Sequence, residues 1–102
     1  MDKYKKRFSG DKAIVINAAY DALEALGIAI SRSNSSRGTL LVTFPAAPAL
    51  GGRIAVSPEI SNDGTVVEVF PLTDDEQQAE WIAALFAEMQ SLMRRPGGEE
   101  SR

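Results

Sequence analysis

Thr65-Val66-Val67-Glu68-Val69-Phe70-Pro71-Leu72-Thr73-Asp74-Asp75-Glu76 decides the architecture, because an extended segment ends inside it and a helix begins. Thr65 to Phe70 is rich in β-branched and aromatic residues, and Pro71 stops it. Thr73 to Glu76 matches a capping box, with Thr73 as the expected N-cap and Glu76 three residues later. Asp74 and Asp75 add negative charge at the positive end of the helix dipole. Beyond them Ile82, Leu85, Phe86, Met89 and Met93 recur at helical spacing, widened by Trp81 and Leu92. Arg94 and Arg95 suit the negative end of the dipole, and Pro96-Gly97-Gly98 stops the helix.

Upstream, Asn62-Asp63-Gly64 signals a tight turn between strands. Arg53-Ile54-Ala55-Val56-Ser57 precedes it as a further strand, stopped by Pro58. The stretch Pro45 to Gly52 reads as a loop, its prolines and glycines working against regular pairing. Thr39-Leu40-Leu41-Val42-Thr43-Phe44 alternates, with Leu40, Val42 and Phe44 on one face. The turn-forming run Asn34 to Gly38 separates it from Ile28-Ala29-Ile30-Ser31-Arg32-Ser33.

A first helix starts near Ser9 or Asp11, and Val15, Ala18, Ala19, Ala22, Leu23 and Leu26 form its apolar stripe. Gly27 fits the left-handed position of a Schellman ending, with Ile28 as its apolar contact. Lys3 to Phe8 reads as an edge strand or an ordered arm, since lysine discourages edge pairing with other chains. The expected fold is α+β, in the order (β)-α-β-β-β-β-α. A single antiparallel sheet of four strands, or five with the N-terminal one, carries both helices on one face. Residues 1–96 form one domain and 97–102 a disordered tail.

The chain has 102 residues, no histidine and no cysteine. Those two side chains supply most neutral-pH acid–base catalysis, transition-metal ligation and thiolate chemistry, so no catalytic, metal or cofactor residue is assigned. The basic start is followed by only four apolar residues, Ala13 to Ile16, too few for a secretory signal or a membrane span. The expected location is therefore cytoplasmic. Net charge is −3, but residues 1–58 sum to +4 and residues 59–102 to −7. Such asymmetry can steer a partner or a second copy, or cancel within the fold.

Each local motif has a plain structural explanation. Asp74-Asp75-Glu76 is the densest carboxylate cluster, and a helix start accounts for it. Ser9-x-x-Lys12 lacks the companion motifs of a serine acyltransferase. Gly51-Gly52-Arg53 lacks the following helix of a phosphate loop. Lys3, Lys5, Lys6 and Arg7 interleave with Tyr4 and Phe8, but an arm this short on an acidic chain argues against nucleic-acid binding. The order helix–sheet–helix resembles helix-grip ligand binders and acidic secretion chaperones. That likeness is one of architecture and does not fix function.

Two readings of function follow. If Leu40 and Val42 face the helices, then Leu41, Val66 and Phe70 face outward, and with Leu50 they would form an apolar interaction surface. The first expectation is a non-enzymatic domain acting through protein–protein contact, with self-association through the open sheet face. The second is a binder of an apolar or amphipathic anionic small molecule, between the sheet and the C-terminal helix. Trp81, Phe86 and Met89 would line that pocket, and Arg53, Arg32 or Arg37 would hold the anionic end.

Overall fold

The computed structural model describes residues 4–34, 36–45, 47, 49–59 and 64–94. The elements are β1 (Lys5–Ser9), α1 (Lys12–Ala25), β2 (Ala29–Asn34), β3 (Thr39–Thr43), β4 (Gly51–Pro58), β5 (Gly64–Pro71) and α2 (Glu76–Arg94). The N-terminal segment is thus a strand, and the fold is the expected α+β one. The five strands form one open sheet in the order β1-β5-β4-β3-β2, and every neighbouring pair is antiparallel. Four antiparallel steps leave the two edge strands, β1 and β2, parallel to each other. A parallel relation needs a long crossover, and α1 supplies it across the width of the sheet.

Helix α1 begins where Asp11 Oδ1 accepts the Ile14 N–H at 3.0 Å. It ends at Gly27, whose φ of 74° is the left-handed conformation that favours glycine. There the Ile28 N–H donates to the Leu23 carbonyl at 2.9 Å, and the Gly27 N–H to that of Glu24 at 3.1 Å. This is the complete Schellman pattern, and both Ile28 and Leu23 are buried. The stripe Val15, Ile16, Ala18, Ala19, Ala22 and Leu23 is buried, and its alanines allow α1 to lie close to α2.

Phe8, Leu40, Val42, Ile54, Val56, Val67 and Val69 point from the sheet into the same buried cluster as the helical residues. From α2 come Trp81, Ile82, Leu85, Phe86 and Met89, at helical spacing. Phe86 meets Phe8 edge-on, with ring centroids 6.2 Å apart. Both helices therefore cover one face, and among the described residues the other carries no helix.

Two local expectations need correction. The N-cap of α2 is Asp75, not Thr73: Asp75 Oδ1 accepts the Gln78 N–H at 3.0 Å, and the Thr73 hydroxyl donates to Asp75 Oδ2 at 2.7 Å. The threonine supports the cap from outside the helix, so the helix starts two residues later than the capping-box pattern implies. The second correction concerns Gly51 and Gly52, which belong to β4 rather than to the loop before it. A Cβ on Gly51 would lie 2.4 Å from the Val42 carbonyl oxygen, and one on Gly52 2.3 Å from that of Phe70. These glycines do not prevent pairing; they allow the neighbouring backbones to close on β4. The turn expected at Asn62-Asp63 and the tail expected at 97–102 lie outside the described residues, and no helix among those described is long and apolar enough to cross a membrane.

Candidate functional site

The face without helices is organised by cross-strand rows. Leu41 on β3 lies opposite Arg53 on β4, which lies opposite Phe70 on β5. The next row runs Thr39, Ala55, Glu68 and Lys5, from β3 to β1. Leu41 is 38% and Phe70 41% exposed. Arg53 lies over the Phe70 ring, its guanidinium carbon 4.4 Å from the centroid. That contact holds a flat donor group against an aromatic face.

Strand β2 extends the first row by an irregularity that its sequence does not announce. Ile30 pairs with Val42, but the next pair is Arg32 with Leu41, so Ser31 has no partner in the register. Strict alternation from the inward Ile30 would turn Arg32 inward as well. The bulge shifts the phase by one residue and brings Arg32 to the open face beside Leu41. Ser31 Oγ donates to the Leu41 carbonyl at 3.2 Å and ties the bulge to β3.

Two shallow cavities meet on this face. One, of about 390 Å³, is mostly apolar and includes Leu41, Thr43, Gly52, Arg53, Phe70 and Leu72 in its lining. Leu72 is 60% exposed and was not picked out by strand periodicity, because it follows the strand after Pro71. The other, of about 350 Å³, is lined by Arg32, Ser33, Asn34, Arg37, Thr39, Leu41 and Arg53. Leu41 and Arg53 belong to both.

The residues singled out from sequence divide accordingly. Leu41 and Phe70 lie on the open face as the alternation implies. Val66 is on the same face but half-buried, opposite Ser57 and Arg7, and separated from Phe70 by Glu68. Leu50 packs against the core on the helix side and is not part of that surface. Trp81, Phe86 and Met89 are buried in the core, while Arg53 is exposed on the opposite face. The sheet separates them, so these four residues do not line a common pocket.

The region around Trp81 is instead locked by a buried glutamine that pattern reading passes over. Gln78 is fully buried, and its Oε1 accepts from the Trp81 Nε1–H at 2.6 Å and the Gly51 N–H at 3.3 Å. Its Nε2 donates to the Ala49 carbonyl and the Thr73 hydroxyl, each at 3.2 Å. All four hydrogen-bonding positions of the amide are used, which is the condition for burying it. Phe44 closes the corner edge-on to Trp81, with centroids 5.4 Å apart. This cluster joins the loop before β4 to the start of α2.

The remaining motifs are absorbed by structure. Lys12 Nζ donates to the Ser36 carbonyl at 3.1 Å. Arg7 forms an ion pair with Glu59, and the Tyr4 hydroxyl donates to Asp74. The Asp75 carboxyl is held below its ordinary range by the Thr73 hydroxyl first and the Gln78 N–H second, a cap's signature rather than a proton donor's. Among the described residues no three Asp or Glu side chains group closely enough to hold a metal ion. No protein-family model matches the chain, and no curated protein matches it significantly.

Proposed function

We propose that the protein is a non-enzymatic binding module acting through protein–protein contact on the open face of its sheet. The observation that carries this reading is the exposed row Leu41, Arg53 and Phe70, extended by Leu72 on a face that no helix covers. Apolar and aromatic side chains beside arginine are the composition of interface centres. Arg32 and Arg53 also bear on the partner's identity. Two copies meeting face to face would bring these cations against their own equivalents, which favours a partner of complementary charge over self-association. The setting is proposed to be cytoplasmic, in keeping with a cysteine-free chain.

The test is selection of random dodecapeptides on the wild-type protein, with counter-selection on the Leu41→Ser/Phe70→Ser variant. Both proteins are first checked for identical folding by circular dichroism. Enrichment of peptides that bind the wild type and not the variant supports the reading. Peptides that bind both equally would overturn it, and a monomer–dimer equilibrium in sedimentation that buries the whole apolar patch would overturn the preference for a partner of complementary charge. A small amphipathic anion is the second reading, favoured by the meeting of the apolar trough and the arginine-lined cavity at Leu41 and Arg53.

A further inference from the structure

Charge is sorted by layer. The five strands hold Lys5, Lys6, Arg7, Arg32 and Arg53 against one acid, Glu68. The two helices hold Asp21, Glu24, Glu76, Glu80 and Glu88 against Lys12 and Arg94. At the β1 edge the cations have local counterparts: Arg7 pairs with Glu59, and Lys5 stands opposite Glu68.

The other end of the open face differs. Arg32, Arg37 and Arg53 line one cavity of about 350 Å³, and none of the three forms an ion pair among the described residues. Three different pieces of local structure bring them there. The bulge in β2 turns Arg32 outward, the Phe70 ring supports Arg53, and Arg37 comes from the β2–β3 turn. That turn is fixed by Asn34, whose Oδ1 accepts the Arg37 N–H at 3.1 Å and whose carbonyl accepts the Gly38 N–H at 2.8 Å. Arg32 and Arg53 flank Leu41 on one row, about 10 Å apart at their Cα atoms for two strand spacings. Without an anion between them these cations only repel one another.

We infer that this cavity is an oxyanion site that takes the carboxylates of an acidic protein segment. The adjoining trough of Leu41, Phe70 and Leu72 receives an apolar side chain of the same segment. The inference rests on the protein-binding reading above and names the partner's chemistry. Guanidinium groups bind carboxylates through paired, parallel hydrogen bonds, and several in one concavity select a segment with neighbouring acids. A nucleic-acid strand fits less well. Phe70 is the one aromatic of the row, whereas single strands are held by several aromatic side chains on which successive bases stack.

Titration of the isotope-labelled protein with acetyl-Glu-Glu-Phe-Glu-Glu-amide, followed by NMR, tests the site. Saturable binding at or below millimolar concentration is expected, with shifts in the Nε–H signals of Arg32, Arg37 and Arg53. Replacing the peptide's Glu by Gln, or using the Arg32→Gln/Arg37→Gln variant, should weaken binding about tenfold or more, the loss of one charge-assisted hydrogen bond or two. Equal binding of the Gln peptide, with shifts confined to Leu41, Phe70 and Leu72, would overturn the oxyanion site and leave the protein-binding face standing. Absence of saturable binding of the acidic peptide overturns the site, while selection of other dodecapeptides dependent on Leu41 and Phe70 would still preserve the face. Inorganic phosphate or oligothymidylate binding more tightly than the peptide would overturn the assignment to an acidic protein segment.

Discussion

Leu40 and Leu41 are the same residue type, adjacent in the chain, and lie on opposite faces of β3. One is 2% exposed and touches both helices' core; the other is 38% exposed on the bare face. The difference is one step of strand alternation, and it separates two physical tasks. The covered face is filled by β-branched and aliphatic side chains, closed by α1 and α2, and latched by a fully bonded glutamine. The open face carries arginines, a partly exposed phenylalanine and two leucines at the rims of shallow cavities. The first face accounts for folding. The second adds little to it and keeps its apolar surface available.

The strongest way to break this comparison is to cut the same side chain from both leucines. Leu40→Ala should lose about 2–5 kcal/mol, because the core around it can collapse only partly into the space left. Leu41→Ala should stay within about 0.5 kcal/mol of the wild type, the usual range for a surface site. Urea unfolding of the two variants side by side measures this. Equal losses would mean that Leu41 is part of the core and that the open face is not open.

A second test sharpens the covered side alone. Gln78→Leu keeps the volume of the side chain but removes the amide that serves Trp81, Gly51, Ala49 and Thr73. Each buried group left without a partner costs about 1–3 kcal/mol, so a loss of about 2–3 kcal/mol is expected. Trp81 is the one tryptophan of the chain, and its emission should shift as the indole N–H loses its acceptor. A variant as stable as the wild type, with unchanged emission, would show that the loop before β4 is held by packing rather than by this residue.

Most of the fold was legible because its signals are local. Helix α1 could be read at both ends, from Asp11 and from Gly27 with Ile28, since caps and Schellman endings are set by neighbouring residues. The alternation in β3 and β5 correctly divided Leu40 from Leu41 and Val69 from Phe70. What escaped depends on contacts distant in sequence. Asp75 displaced Thr73 as the cap because both side chains suit the position, and only the path of the chain from β5 decides between them. Gly51 and Gly52 resemble loop glycines until β3 and β5 are seen to close on them. For the site, the outward position of Arg53 was available from Ile54 and Val56 facing in. Arg32 was not, because a bulge of one residue reverses its face, and Leu50 departs from the expected outer surface because loop residues obey no alternation.

The smallest expected effect lies on the open face and concerns charge. Arg32 and Arg53 stand on one row about 10 Å apart at their Cα atoms, and two like charges separated by about that much in water would repel by about 0.4 kcal/mol. No acid among the described residues offsets Arg32 through an ion pair. Arg32→Gln should therefore leave stability unchanged or raise it by a few tenths of a kcal/mol at low ionic strength. Salt near 1 M, where screening acts over about 3 Å, should erase the gain. Thermal unfolding of wild type and variant at two salt concentrations reads the difference. A clear loss of stability instead would mean that Arg32 supports the fold, and the bulge that turns it outward would then serve folding rather than binding. A neutral or stabilising outcome, together with the weakened peptide binding expected when Arg32 is removed, would locate the residue's use outside the folded chain.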